Sequence, residues 1–121
     1  MRKVLPLLLL AAFAAAPAAA HSPTSVGVSE REWRVALYRT RVPTGVLRLN
    51  VHNYGEDGHD LAIRNRDGKV LASVPEVEPG EGDTLRVRVR RRGRYVVFCT
   101  LEGHEAKGMR ARLTVVKRKR G

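Results

Sequence analysis

The chain has 121 residues, 23 Lys and Arg against 12 Asp and Glu, a formal net charge of +11 and a single Cys. One Cys excludes an internal disulfide framework, and a chain this short holds one small domain. The basic runs carry no interleaved aromatic residues, which argues against nucleic acid as the partner.

Residues 1–20 differ in kind from the rest. Met1-Arg2-Lys3 is charged, Val4 to Ala16 is predominantly apolar, and Ala18-Ala19-Ala20 supplies the small residues that precede a cleavage point. This pattern predicts an export signal. It is short and has no stop-transfer sequence, so no permanent transmembrane segment is expected. No Cys follows it, so no lipid anchor is expected. The predicted mature domain, 21–121, carries +9 and belongs in the periplasm or outside the cell.

From residue 21 onward, apolar residues alternate with polar ones, and fifteen of them are Val. Alternation of this kind predicts strands. In chain order they fall at Ser25–Val28, Glu32–Leu37, Leu47–His52, Asp60–Asn65, Lys69–Val74, Leu85–Arg90, Arg94–Cys99 and Arg110–Val116. Pro43-Thr44-Gly45, Arg66-Asp67-Gly68, Pro79–Asp83 and Arg92-Gly93 separate them, the second as a hairpin turn. Seven or eight short strands at this spacing fit an all-β sandwich of two sheets, each with one wet face. Tyr95 is expected in the core or as a corner tyrosine, and Trp33 in the core and not as a redox relay. Lys117 to Gly121 reads as a frayed basic tail.

Chemistry concentrates in the loop from Cys99 to Met109, which places a thiol, an imidazole (His104) and a thioether at intervals of five. Gly103 and Gly108 each stand close to a donor and let the backbone turn back on itself. Thiolate, imidazole and thioether are soft or borderline donors, and with a second His they match a trigonal copper site with a weak axial Met. Three His residues compete for the second position. His52 lies on the polar face of its strand and reads as a solvated residue. His21 would be the mature amino terminus. His59 follows the turn 53–58 and opens a strand, where a neighbouring loop is within reach. Zinc could use Cys99, His59 and His104, but Met109 argues against it. Catalysis by Cys99 and His104 is not expected, because no oxyanion-type motif or third orienting residue accompanies them. A metal-free adhesion sandwich would leave the loop unexplained.

Three segments resemble the cupredoxins, the small blue copper proteins. Gly93 to Cys99 resembles the strand leading into the copper Cys. Cys99-Thr-Leu-Glu-Gly-His104 resembles the Cys-Thr-x-Pro-Gly-His loop, with Glu102 replacing the usual Pro. Asn53 through Ile63 resembles the segment carrying the first His. The spacing around His104 is most similar to the rusticyanin and auracyanin type. The resemblance implies a Greek-key cupredoxin-like sandwich holding one type 1 copper ion through His59, Cys99, His104 and Met109. It implies that Asp60 and Thr100 tie the two ligand segments together by hydrogen bonds. It also implies a monomeric one-electron carrier rather than an enzyme, with copper storage or delivery outside the cytoplasm as the alternative. The row Arg86, Arg88 and Arg90 is either a solvated face or a docking surface for an acidic redox protein or an anionic membrane.

Overall fold

The computed structural model describes residues 1–14 and 21–120. Residues 1–14 form neither helix nor strand and are exposed. The expected cleavage segment Ala18-Ala19-Ala20 lies outside the described residues, as does Gly121. No described helix is long and apolar enough to cross a membrane.

Among the described residues there are nine strands: β1 Thr24–Arg31, β2 Arg34–Leu37, β3 Arg41–Pro43, β4 Gly45–Asn53, β5 His59–Arg64, β6 Val70–Val77, β7 Gly82–Val89, β8 Gly93–Phe98 and β9 Arg110–Val116. They form two sheets, ordered β2-β1-β4-β7 and β3-β9-β8-β5-β6. Val26 and Val28 of β1, Leu47, Leu49 and Val51 of β4, and Leu85, Val87 and Val89 of β7 point inward from the first sheet. Leu61, Ile63, Val97, Leu113 and Val115 meet them from the second. Each such aliphatic side chain contributes about 1.5–3 kcal/mol by leaving water. The period-2 pattern therefore forms the sandwich because it puts one apolar face on every long strand.

The expected all-β, Greek-key sandwich is the observed architecture, with nine strands in place of seven or eight. The additional one is β3, a three-residue strand that pairs parallel with β9 through Arg41↔Thr114 and Pro43↔Val116. It is too short to show alternation. Pro43 is tolerated there because β3 is an edge. β6 likewise runs on through Pro75 to Val77 as an edge strand. β1 continues past Val28 to Arg31 because parallel pairing with β4 extends to Glu30↔Asn53. An inward-facing Glu30 breaks the apolar alternation, which hides that extension from a hydropathy reading. Glu32 and Trp33, expected within a strand, occupy the turn between β1 and β2.

Tyr95 is buried and its hydroxyl donates to the Arg91 carbonyl at 2.7 Å, as a corner tyrosine does. The expected fraying of the tail does not begin at once. Arg118 donates from its amide to Thr44 Oγ1 at 3.3 Å and from Nε to the Thr44 carbonyl at 3.0 Å.

Candidate metal centre

One pole of the sandwich gathers the end of β1, the end of β4, the start of β5, the end of β8 and the start of β9. The candidate donors arrive there from two directions. His59 is the first residue of β5, next to a register shift between His59 and Leu61 that opens the pairing with β6. Its position depends on Asn53, which is fully buried and organises the preceding turn. The Asn53 amide donates to the carbonyls of Asp57 (2.8 Å) and Val77 (2.9 Å), and its oxygen accepts from the Gly55 N–H at 2.8 Å.

Cys99, His104 and Met109 come from the loop between β8 and β9. The loop is closed by the Cys99 N–H donating to the Met109 carbonyl at 3.1 Å. Inside it, the His104 N–H donates to Leu101 and the Met109 N–H to His104, both through carbonyl oxygens. Gly103 and Gly108 hold φ of +79° and +126°, which non-glycine residues rarely adopt. A Cβ at Gly108 would lie 2.8 Å from the Trp33 carbonyl oxygen. Glu105 anchors the loop to β5: both Arg64 terminal nitrogens donate to its carboxylate, at 2.8 and 2.6 Å. That Arg64 guanidinium also lies 4.2 Å over the Phe98 ring centroid.

His59, Cys99 and His104 each offer one donor atom, and these atoms all lie within 4.8 Å of one another. His104 Nδ1 stands 3.2 Å from His59 Nδ1 and 3.6 Å from Cys99 Sγ. His59 and Cys99 are fully buried, and His104 is half-buried. Burial pushes the Cys99 thiol up to about 11, against the backbone N–H groups of Leu101 and Asp60 and with help from the Asp60 charge. Met109 is fully buried in the same apolar cluster as Cys99. Three electron-pair donors converging in a mostly dry site suit a cation, which would offset their mutual repulsion and displace the thiol proton.

The other two His residues do not join this group. His21 is exposed before β1. His52, expected to be solvated, is half-buried, with its ring centroid 4.3 Å from that of Tyr54. Asp60 and Thr100 meet as expected. The Thr100 amide donates to Asp60 Oδ1 at 2.5 Å and its hydroxyl donates to Asp60 Oδ2, which joins the His59 strand to the Cys99 loop.

Two residues at the site were not legible in the sequence. Trp33 packs on the core as expected, but it is half-buried and meets both imidazoles edge-on, with centroids 4.9 Å from His104 and 6.3 Å from His59. Lys107 Nζ caps its ring at 4.0 Å. Glu32 places Oε1 3.0 Å from His59 Nε2 and also accepts from the backbone N–H of Asp57 (2.7 Å) and Glu56 (2.9 Å). Those two amides, that of Asp57 first, hold its carboxyl down at about 2. No local motif marks either residue, since both reach the site across more than twenty positions of chain.

Solved structures with this arrangement of strands include auracyanin B, with a TM-score of 0.67 at 21% identity over 81% of this chain and 93% of that one. Rusticyanin from Thiobacillus ferrooxidans superposes with a TM-score of 0.66 at 14% identity, covering 80% of this chain and 79% of its own. Auracyanin A, a "blue" copper protein from Chloroflexus aurantiacus, gives 0.63 at 13% identity over 78% and 100%. The fold is the cupredoxin fold. No family model and no curated protein matches the chain, so the likeness is one of architecture. Within the cupredoxin fold, His59, Cys99 and His104 converge at the pole where β5 begins and β8 ends.

Proposed function

We propose that the protein is a type 1 copper protein of the exported compartment, acting as a one-electron carrier and not as an enzyme. The observation that carries this reading is the convergence of His59, Cys99 and His104 within 4.8 Å on a cupredoxin fold. His59 and His104 would hold copper through Nδ1 and Cys99 through its thiolate, with Met109 as the weak axial donor. Copper bound there supplies reversible exchange of a single electron between Cu(I) and Cu(II).

The chain's own residues do the rest. Asp60 and Thr100 lock the two donor segments to each other, and Glu105 with Arg64 locks the loop to β5. A locked donor set changes little between oxidation states, which keeps electron exchange fast. Burial of His59, Cys99 and Met109 excludes water. His104 alone among the four is half-buried, so its ring edge is the natural port for the electron. Cys99 must give up its proton for the metal to bind, and affinity falls as pH falls.

The test is to add Cu(II) to the purified 21–121 domain and record its visible spectrum. One equivalent should give an intense blue band from thiolate-to-copper charge transfer. Cys99→Ser should abolish that band, since a hydroxyl cannot supply the transition. Met109→Leu should keep metal and colour and raise the reduction potential, because Cu(II) loses a donor. A colourless Cu(II) complex of the folded wild type would sink the reading, and loss of copper on Met109→Leu would sink the axial assignment.

A further inference from the structure

Glu32 belongs to no segment of the donor set, yet it touches the far side of one donor ring. Its Oε1 lies 3.0 Å from His59 Nε2, with 24% of the side chain exposed. Two backbone amides, those of Glu56 and Asp57, donate to the same carboxylate at 2.9 and 2.7 Å. Backbone amides only donate, so the contact with His59 is the one bond that remains to be defined. With an anionic acceptor opposite, Nε2 carries the ring proton and donates it. Nδ1 is then the atom with a free electron pair, and it is Nδ1 that faces His104 Nδ1 at 3.2 Å.

The neighbourhood is shaped to admit this carboxylate. A Cβ at Gly55 would fall 2.5 Å from Glu32 Oε1 and 2.7 Å from Oε2, so the turn approaches closely because residue 55 is glycine. His59 itself is fully buried, which limits screening of the carboxylate charge along the ring.

We infer that Glu32 is a positioning residue for the metal centre, fixing His59 as an Nδ1 donor and favouring the more highly charged oxidation state of the metal. This inference rests on the copper reading above. A carboxylate behind a ligand imidazole raises ligand basicity, and replacing such a partner costs 10–100-fold in metal affinity. The loss should be unequal here. Cu(II) gains more than Cu(I) from the extra negative charge.

The experiment measures Cu(II) affinity, Cu(I) affinity and reduction potential for the wild type, Glu32→Gln and Glu32→Asp. Glu32→Gln should weaken Cu(II) by about tenfold or more and Cu(I) by less, so its potential rises. Glu32→Asp keeps the charge and should restore most of the ratio between the two affinities. Should Glu32→Gln fail to fold, Gly55→Ala displaces the carboxylate without removing it and should shift the potential the same way. Equal losses for both oxidation states would reduce Glu32 to a structural role and overturn the inference. Nitrogen-15 NMR of the His59 ring in the metal-free domain is the independent readout. A single Nε2–H tautomer that Glu32→Gln perturbs supports the inference, and a ring protonated at Nδ1 in the wild type overturns it. A wild type that takes up no copper refutes the proposed function, whereas the tautomer result still upholds or overturns the Glu32 contact.

Discussion

Glu30 shows how a single side chain can tie stability to pH. It points into the sandwich from β1, fully buried, and neither carboxylate oxygen has a hydrogen-bond partner among the described residues. Burial, and after it the charge of Asp60, pushes its carboxyl up from 4.5 to about 8. Between these values the folded domain keeps a proton that the unfolded chain has released. The unfolding free energy then falls as pH rises, by about 1.4 kcal/mol per pH unit from this group alone. Below 4.5 both states are protonated, and above about 8 both are ionised, so the slope is confined to that window. Denaturant unfolding of the metal-free domain between pH 5 and 8 should show the wild type losing stability relative to Glu30→Gln across the window. A difference between the two that does not change with pH would mean that Glu30 stays ionised in the fold.

The loop between β8 and β9 contains no strand, yet it is held at its ends, its middle and its side. Its ends are zipped by Cys99 and Met109, its middle is bolted to β5 through Glu105 and Arg64, and Gly108 packs against the β1–β2 turn. The two glycines of the loop separate backbone strain from collision. At Gly103 an added Cβ meets nothing within 4 Å, so Gly103→Ala costs only its left-handed φ of +79°. At Gly108 the Cβ would also strike a main-chain oxygen at 2.8 Å, which cannot swing aside as a flexible side chain could. Each unfavourable φ costs on the order of 1–3 kcal/mol, and the collision at Gly108 adds to it. Thermal unfolding should rank wild type above Gly103→Ala above Gly108→Ala, at about 4–8 °C per kcal/mol for a domain of this size. Gly108→Ala should also weaken metal uptake, since the collision pushes the loop away from Trp33 and His59. Equal melting temperatures for the two variants would show that the loop yields at no cost.

Charge is unevenly spread over the whole molecule. Exposed Arg90, Arg91, Arg92, Arg94 and Lys117 crowd the pole where β7 ends and β8 begins, opposite the His104 pole. Arg86 and Arg88 continue the row along the outer face of β7, with Arg86 beside Arg48 of β4. Around the site, exposed Glu56, Asp57 and Glu102 are mixed with Arg31 and Lys107. From Gly82, next to the site pole, the row begins four strand steps on at Arg86, about 13 Å away, and Val89, beside Arg90 at its far end, lies seven steps on, about 23 Å away. Screening acts over about 8 Å at physiological salt. On the proposed reading, a partner that docks at His104 therefore feels the row as a distant field. Changing Arg86, Arg88 and Arg90 to Gln should slow association with an acidic electron-transfer protein at low ionic strength and flatten its salt dependence. At physiological salt the rate should change little, and the copper spectrum not at all. A large rate loss at physiological salt would instead show that the partner sits on the β7 face. Indifference at every salt concentration would make the row a solvated face.

Alternation and turn chemistry were enough, from the sequence alone, for the all-β class and the strand positions in outline, because period-2 burial is a local property, and the nearness of Cys99 to His104 was legible because one short loop carries both. Tyr95, Asp60 and Thr100 were legible for the same reason: each works through a partner in its own segment or in one that the resemblance paired with it. What required the tertiary structure is what depends on parallel pairing and on close approach between distant segments. β3 is too short to carry a pattern, and the extension of β1 is masked by a buried carboxyl. Glu32 and Trp33 reach His59 and His104 only because β1 runs parallel to β4 and delivers the β1–β2 turn to the same pole as the β4–β5 turn. The basic row likewise reads as a charged strand face in sequence, and only the folding of β7 between the two poles sets its distance from the site.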